Sequence, residues 1–231
     1  RKDYYAYCRS KPALRNNAIF CSHTGISMSF ETLDEWIQYV EMNPMEKSGK
    51  KYEEGNYYLH EQSINLCRED LVEIYNSKGL IGIQLDEKRI MGPLALNELK
   101  LRTEVGGGTE QKYIYAKAIW ANIFCAIDEI EKSGVKKNES VWDLFAIGSD
   151  FDGLINHLDS FESAAKMHDL KSTMSYFLQE PEEIILFFKD KNTQYTLSLP
   201  DIERLKKGFS NQELVDKIFS KNALKFLERN F

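Results

Sequence analysis

Leu144-Phe145-Ala146-Ile147-Gly148-Ser149-Asp150 is a short apolar run that closes on polar residues. Two other stretches share its form, Ala18-Ile19-Phe20-Cys21-Ser22-His23 and Leu80-Ile81-Gly82-Ile83-Gln84-Leu85-Asp86. Uninterrupted apolar runs of this length, separated by helical patterns, predict parallel strands covered on both faces in an α/β fold. The segments between them agree. Leu66, Leu71, Ile74 and Tyr75 recur at helical spacing, with Asn65 expected as the cap and Gly79 as the stop before the second strand. Ile114 to Ile130 carries Ala118, Ile119, Ala121, Ile123, Ala126 and Ile127, a largely buried helix that ends near Gly134 and leads to the third strand.

Two stretches break the alternation. Ile26 to Gln62 contains the polar run Glu46 to Asn56, and Lys88 to Gln111 contains Gly106-Gly107-Gly108. Both follow the C-terminal end of a strand, where insertions serve equally as substrate-covering loops or as decoration and oligomer contacts, a homodimer included. A third irregular region, Leu154 to Thr196, holds a predicted helix around Pro181 to Lys189. Beyond it the pattern predicts helices from Leu199 to Lys207 and from Asn211 to Leu227, with a turn at Gly208. Neither a repeat nor a low-complexity linker divides residues 1–231, so one domain is expected.

Composition narrows the function classes. With 42% hydrophobic and 29% charged residues, the chain can bury a sizeable core and remain soluble. A net charge of -6 argues against nucleic acid or an anionic membrane as the main partner. No stretch reaches the roughly 18 to 20 apolar residues of a membrane helix, and the first residues lack the segments of a signal peptide. The chain starts without Met, inside an apparent helix, which is the pattern of a fragment or processed product. Cys8, Cys21, Cys67 and Cys125 are widely spaced and form no C-x-x-C pair, so reduced thiols and a cytoplasmic location are expected.

A polar residue directly after a buried strand stands where the scaffold is rigid and backbone pairing has just ended. His23 and Asp150 both occupy such a position. Imidazole is a ligand suited to zinc, and a carboxylate beside a metal-bound water can accept its proton. The more specific signal is Gly148-Ser149-Asp150-Phe151-Asp152-Gly153, two carboxylates two apart and bracketed by glycines, which lets one enter a site while the other serves the loop.

This run resembles the signature of the membrane dipeptidase (renal dipeptidase) family of zinc peptidases, which have amidohydrolase-like barrels. Ser22-His23-Thr24 resembles that family's Ser-His-Ser or Ser-His-Thr, whose His binds the second zinc. Asn65-Leu66 with Glu69-Asp70, followed by Ser77-Lys78-Gly79-Leu80-Ile81-Gly82, resembles the Asn-Leu-x-Asp-Glu helix and the next strand. Leu199-Pro200, Leu205, Gly208-Phe209-Ser210, Lys217-Ile218 and Asn222-Ala223-Leu224 resemble the closing helices.

The resemblance spans His23 to Phe231 without the insertions. It implies the C-terminal part of a TIM-type (β/α)8 barrel, with His23 as a zinc ligand and Asp150 as the acid/base residue. Ser22, Ser149 and Phe151 would pack around or orient these two, and Asp152 would accept hydrogen bonds from its loop. It further implies a hydrolase that cleaves a dipeptide or similar small amide with zinc-activated water, using two zinc ions in the complete protein.

The sequence departs from the family in two places. The His-x-Asp pair, bridging Glu and further His should precede residue 18, where there is no His, so this chain by itself is expected to be inactive. His60, His157 and His168 are expected at the surface. The Arg that binds the dipeptide carboxylate corresponds here to Ile64, leaving Lys50, Lys51 or Arg68 as replacements and admitting another amide, lactone or small ester. The alternative is a non-catalytic barrel fragment used for binding or assembly.

Overall fold

The computed structural model describes residues 2–11, 17–27, 32–42, 58–60, 65–135, 140–153, 155–180, 186–189 and 194–231. Its centre is a three-stranded parallel sheet in the order β1 (Phe20–Thr24), β2 (Leu80–Gln84) and β3 (Phe145–Gly148). These are the three apolar runs, and every residue of β2 is buried. β1 differs: Phe20, Ser22 and His23 are exposed, and its register with β2 shifts between Cys21 and Thr24.

Helix α1 (Lys2–Ser10) precedes β1, and α2 (Leu33–Met42) lies in the first insertion. Between β1 and β2 runs α3 (Arg68–Asn76), capped by Cys67 rather than by the expected Asn65. The Asp70 carboxylate accepts from Cys67 N–H at 3.1 Å and from the Tyr5 hydroxyl at 3.0 Å, tying α1 to the start of α3. Asn65 instead donates its amide to the carbonyls of His60 and Arg89. After β2 comes the short α4 (Glu87–Ile90), capped by Asp86.

The stretch with three consecutive glycines, expected as a loop, is helical. Helix α5 (Pro93–Lys132) is interrupted at Gly107, where φ is 67° and ψ is -150°. Lys117 Nζ lies 2.8 and 2.9 Å from the two Glu98 carboxylate oxygens. On a straight helix these residues would stand about 28 Å apart at 1.5 Å per residue. The chain therefore folds back on itself at Gly107, in a backbone conformation that only glycine adopts without strain. The loop reading missed this because three glycines disfavour helix, whereas the Lys117 and Glu98 pair closes the two arms.

The second arm is the centre of the core, with all residues from Ile114 to Ile130 buried. Trp120, Phe124 and Trp142 pack edge to face or tilted, with centroids 5.5 to 6.3 Å apart. The two indoles donate to the Met174 and Leu205 carbonyls. Asn122, fully buried, accepts from Ile26 N–H at 2.9 Å and donates to the Ile90 carbonyl at 3.0 Å. It holds the segments after β1 and β2 on one helix.

Helix α6 (Met167–Phe177) packs on α5 and was not anticipated within the irregular region. Leu186–Lys189 is strand β4, antiparallel to β5 (Gln194–Leu197), where a helix was expected. Leu186-Phe187-Phe188 and Tyr195-Thr196 are aromatic and branched residues separated by a polar stretch of sequence, which favours paired strands over a helix. The remainder of that expected helix, residues 181–185, lies outside the described residues.

The C-terminal helices match expectation. α7 (Leu199–Lys206) and α8 (Asn211–Asp216) begin with the reciprocal side-chain caps Ser198 with Asp201 and Ser210 with Glu213. α8 continues through a π turn, Lys217–Lys221, into α9 (Asn222–Asn230). Asn222 closes this end against β3 by donating to the Trp142 and Phe145 carbonyls. No disulfide joins the four cysteines. Among the described residues no helix is long and apolar enough to cross a membrane.

Gly107→Ala should destabilise the protein by roughly 1–3 kcal/mol in chemical denaturation, the cost of a side chain at that backbone conformation. A second expectation concerns Asp143. Its burial would raise the carboxyl, but the ammonium groups of Lys217 and Lys225 outweigh this and hold it below the ordinary carboxylate range. A lowered folded-state value stabilises the protein above the unfolded value near pH 3.9, and that stability fades as pH falls through the folded value. Asp143→Asn should therefore lower the melting temperature at pH 7, with the difference from wild type shrinking below about pH 4.

Candidate functional site

Because the three strands are parallel, their C-terminal ends share one edge of the sheet. β1 brings His23 and Thr24 there, β2 brings Gln84 and then Asp86, and β3 is followed by Ser149 and Asp150. The ends converge because the backbones nearly touch. A Cβ added to Gly82 or to Gly148 would lie 2.1 Å from the Ser22 carbonyl oxygen. Only a residue without a side chain fits at either place.

The resulting cleft, of about 460 Å³, is lined by His23, Thr24, Asn65, Gln84, Asp86, Arg89, Asp150 and Ile155. His23 Nε2 and Asp150 Oδ2 stand 3.8 Å apart, both partly open to solvent. This is an ion-pair distance but too long for a hydrogen bond. Asp150 has φ of 54°, a left-handed conformation that an Asp tolerates better than most residues. Gly153 N–H donates to its carbonyl at 2.9 Å, closing the turn. Gln84 Nε2 donates to Asp150 Oδ2 at 3.1 Å, so β2 orients the carboxylate supplied by β3.

Ser22 Oγ lies 2.8 Å from His23 Nδ1. The tautomer in which Nδ1–H donates to this hydroxyl leaves Nε2 with its lone pair, facing Asp150. Ser22 thus holds the His23 ring from one side. Ser149, adjacent to Asp150 in the chain, is half-buried. Asp152 is exposed and accepts no loop hydrogen bond among the described residues; the Gly153 amide goes to Asp150 instead.

The rim is pinned by α4. Asp86 accepts from Lys88 N–H at 2.7 Å, and Glu87 N–H donates to the Asn156 carbonyl at 2.9 Å. Asn156 Nδ2 returns a bond to Glu87 Oε2 at 2.7 Å, and the Tyr115 hydroxyl donates to Oε1. Burial raises the Glu87 carboxyl above its ordinary value, and burial together with Glu87 raises the Tyr115 hydroxyl. This cluster fixes the loop that places Ile155 in the cleft.

Of the other histidines, only His168 is exposed as expected. His157 is half-buried, stacked on the Phe151 ring with its Nε2 3.2 Å from the Phe151 carbonyl oxygen. His60 is also half-buried, with Nδ1 3.3 Å from the Met91 carbonyl oxygen. Arg68, expected as a substitute carboxylate binder, is paired with Glu129 on α5 and does not line the cleft. Lys50, Lys51 and Ile64 lie outside the described residues.

Reading the strand ends alone missed Gln84, Asp86 and Arg89. Gln84 and Asp86 close the second apolar run just as His23 and Asp150 close theirs, so the same rule would have found them. Arg89 follows on the short α4, which the sequence pattern did not reveal. A larger groove of about 1050 Å³ lies at the opposite end of the sheet, among Ala18, Phe20, Leu80, Phe226 and Leu227. Its lining contains no acid, base or nucleophile, so the polar cleft is the better candidate for chemistry.

No family model matches this chain, and no curated protein or solved structure is significantly similar to it. Among the described residues, no group of three or more His, Cys, Asp or Glu is placed to hold a metal ion.

Gly148→Ala should destabilise the fold by about 1–3 kcal/mol, the usual effect of overpacking a filled site. Urea unfolding measures the loss. Loss of the Gln84 side-chain amide resonance from its hydrogen-bonded position would show that β3 has moved away from β2.

Proposed function

We propose that this chain carries part of the catalytic face of a metal-dependent, dipeptidase-like hydrolase that cleaves a dipeptide or similar small amide. One observation carries the reading: His23 and Asp150, far apart in sequence, meet in a polar cleft at the C-terminal edge of a parallel sheet. The α/β architecture and the strand order are consistent with a segment of a TIM-type barrel, whose chemistry sits at that edge. The exposure of β1 also supports it, since parallel strands are normally covered on both faces and a barrel supplies the cover.

The donor chemistry suits zinc in kind, with one imidazole nitrogen and one carboxylate. It is insufficient in number, because a catalytic zinc takes about three protein ligands. The remaining donors of a two-zinc site would come from outside the described residues. Zinc, when bound, lowers the pKa of water and polarises a carbonyl. The chain's own residues do the rest. His23 Nε2 offers its lone pair while Ser22 fixes the ring. Asp150, held by Gln84, accepts a proton on Oδ2 and returns it to the leaving amine. The enclosing wall from Thr24 to Ile155 holds the amide against these groups.

Asp150→Asn tests the assignment, since asparagine adopts the left-handed conformation as readily as aspartate and preserves the turn. With zinc supplied, turnover of a dipeptide panel by the complete protein should fall by roughly 10² to 10⁴ while the melting temperature is retained. Unchanged turnover would remove Asp150 from the mechanism. The shortage of donors among the described residues leaves room for a second reading, a non-catalytic binding or assembly module. Zinc analysis of protein purified without chelator separates the two, and a metal-free preparation would support the second.

A further inference from the structure

Helix α9 carries two apolar faces, and the fold uses one. Phe226 and Ala223 turn inward, where the Phe226 ring meets that of Phe20 at 5.5 Å between centroids and packs with Leu80 and Ala146. Leu224, Leu227 and Phe231 recur three and four residues apart and are 57%, 51% and 97% exposed. At 3.6 residues per turn they form one stripe on the side turned away from the buried Asn222 and Phe226. A helix packed by a single face ordinarily carries polar residues there. Leu227 and Phe231 also border the groove at this end of the sheet, and the Phe20 ring, 57% exposed, continues the apolar surface. Together the four side chains expose roughly 500 Å². A contiguous patch of that size marks an interaction surface.

Charge decides what fits it. Lys225 is bound to Asp143 and Arg229 to the Lys78 carbonyl, so neither cation borders the stripe. Lys221 and Glu228 do, on the same flank. Both are exposed, and Lys221 reaches only 3.4 Å from Asp216. Two copies of α9 laid antiparallel about a two-fold axis set Leu224 of each against Leu227 of the other. That register brings Lys221 of each copy to Glu228 of the other, twice, and sets the small Ser220 opposite Phe231. A parallel pair instead leaves Glu228 beside the uncharged Ala223.

We propose that the outer face of α9 is the surface through which two copies of this chain associate, as an antiparallel helix pair across a two-fold axis. Two such patches withdraw about 1,000 Å² from water, the lower end of what a specific interface needs. The dimer is therefore of modest strength, with a dissociation constant on the order of micromolar. The face lies at the end of the sheet opposite the polar cleft, so both clefts stay open and the assignment does not depend on the hydrolytic reading.

Sedimentation equilibrium of the complete protein from roughly 1 µM to 1 mM tests this. Wild type should pass from monomer to dimer, and Leu227→Asp should remain monomeric. Lys221→Glu and Glu228→Lys should each weaken the dimer by roughly tenfold, since each replaces two attractions by two repulsions. The double variant should return to within about threefold of wild type, because the charges are then exchanged but still matched. All these positions are at the surface, and unchanged melting temperatures establish that the variants fold. Should Leu227→Asp not fold, the charge reversals decide alone. A monomer at every concentration overturns the proposal, and sedimentation of that monomer with phosphatidylcholine vesicles would give the stripe to a lipid surface instead. A dimer indifferent to Leu227→Asp, or charge reversals whose effects add without restoration, would overturn it equally.

Discussion

The close passage of the Ser22 carbonyl against Gly82 and Gly148 is the constraint on which the candidate site depends. It brings three strand ends within reach of one another, and each then contributes one side chain to the cleft. His23 follows Ser22 directly, Asp150 lies two residues after Gly148, and Gln84 lies two after Gly82 on the strand between them. A bulky residue at either glycine would push the strands apart and separate an imidazole from a carboxylate that now face each other at 3.8 Å. The packing requirement and the chemical arrangement are one geometric fact.

The buried arm of α5 turns this local fact into a stable scaffold. Its Asn122 amide reaches the segments that follow β1 and β2, so the two strand exits are held by a residue remote from both. Such a fully satisfied amide in a dry core also opposes alternative packings, because any shift would strand its polar atoms. Around it, Trp120 and Trp142 each hold a carbonyl of a neighbouring segment. Rigidity at the cleft follows from packing at some distance from it. The rim, by contrast, depends on polar bonds: Glu87 ties the Asn156 segment to α4 and to Tyr115.

Much of the architecture was legible from pattern alone. The three apolar runs are strands, the long apolar segment before Gly134 is a buried helix, and α7 and α8 begin at Leu199 and Asn211 as the pattern predicts. The misreadings have definite causes. Gly106 to Gly108 suggested a loop because helix propensity is local, whereas the Lys117 and Glu98 pair that folds α5 back spans distant positions. Pro181 to Lys189 suggested a helix because a run of bulky apolar residues fits either structure until its partner strand is known. Asn65 suggested a cap, yet its amide is engaged across the fold with His60 and Arg89.

At the site the division is equally clear. The sequence by itself determined that His23 and Asp150 stand at strand ends, since alternation of apolar runs and polar closures is a local property of the chain. It also determined the tight glycine-bracketed turn around Asp150. Only the tertiary structure decided that these residues share one cleft and that Gln84 orients the carboxylate. It alone turned Arg68 away to Glu129 and brought Arg89 to the wall of the cleft. The physical reason is that a side chain's charge is written in the sequence, whereas the identity of its partner depends on which distant backbones are able to approach.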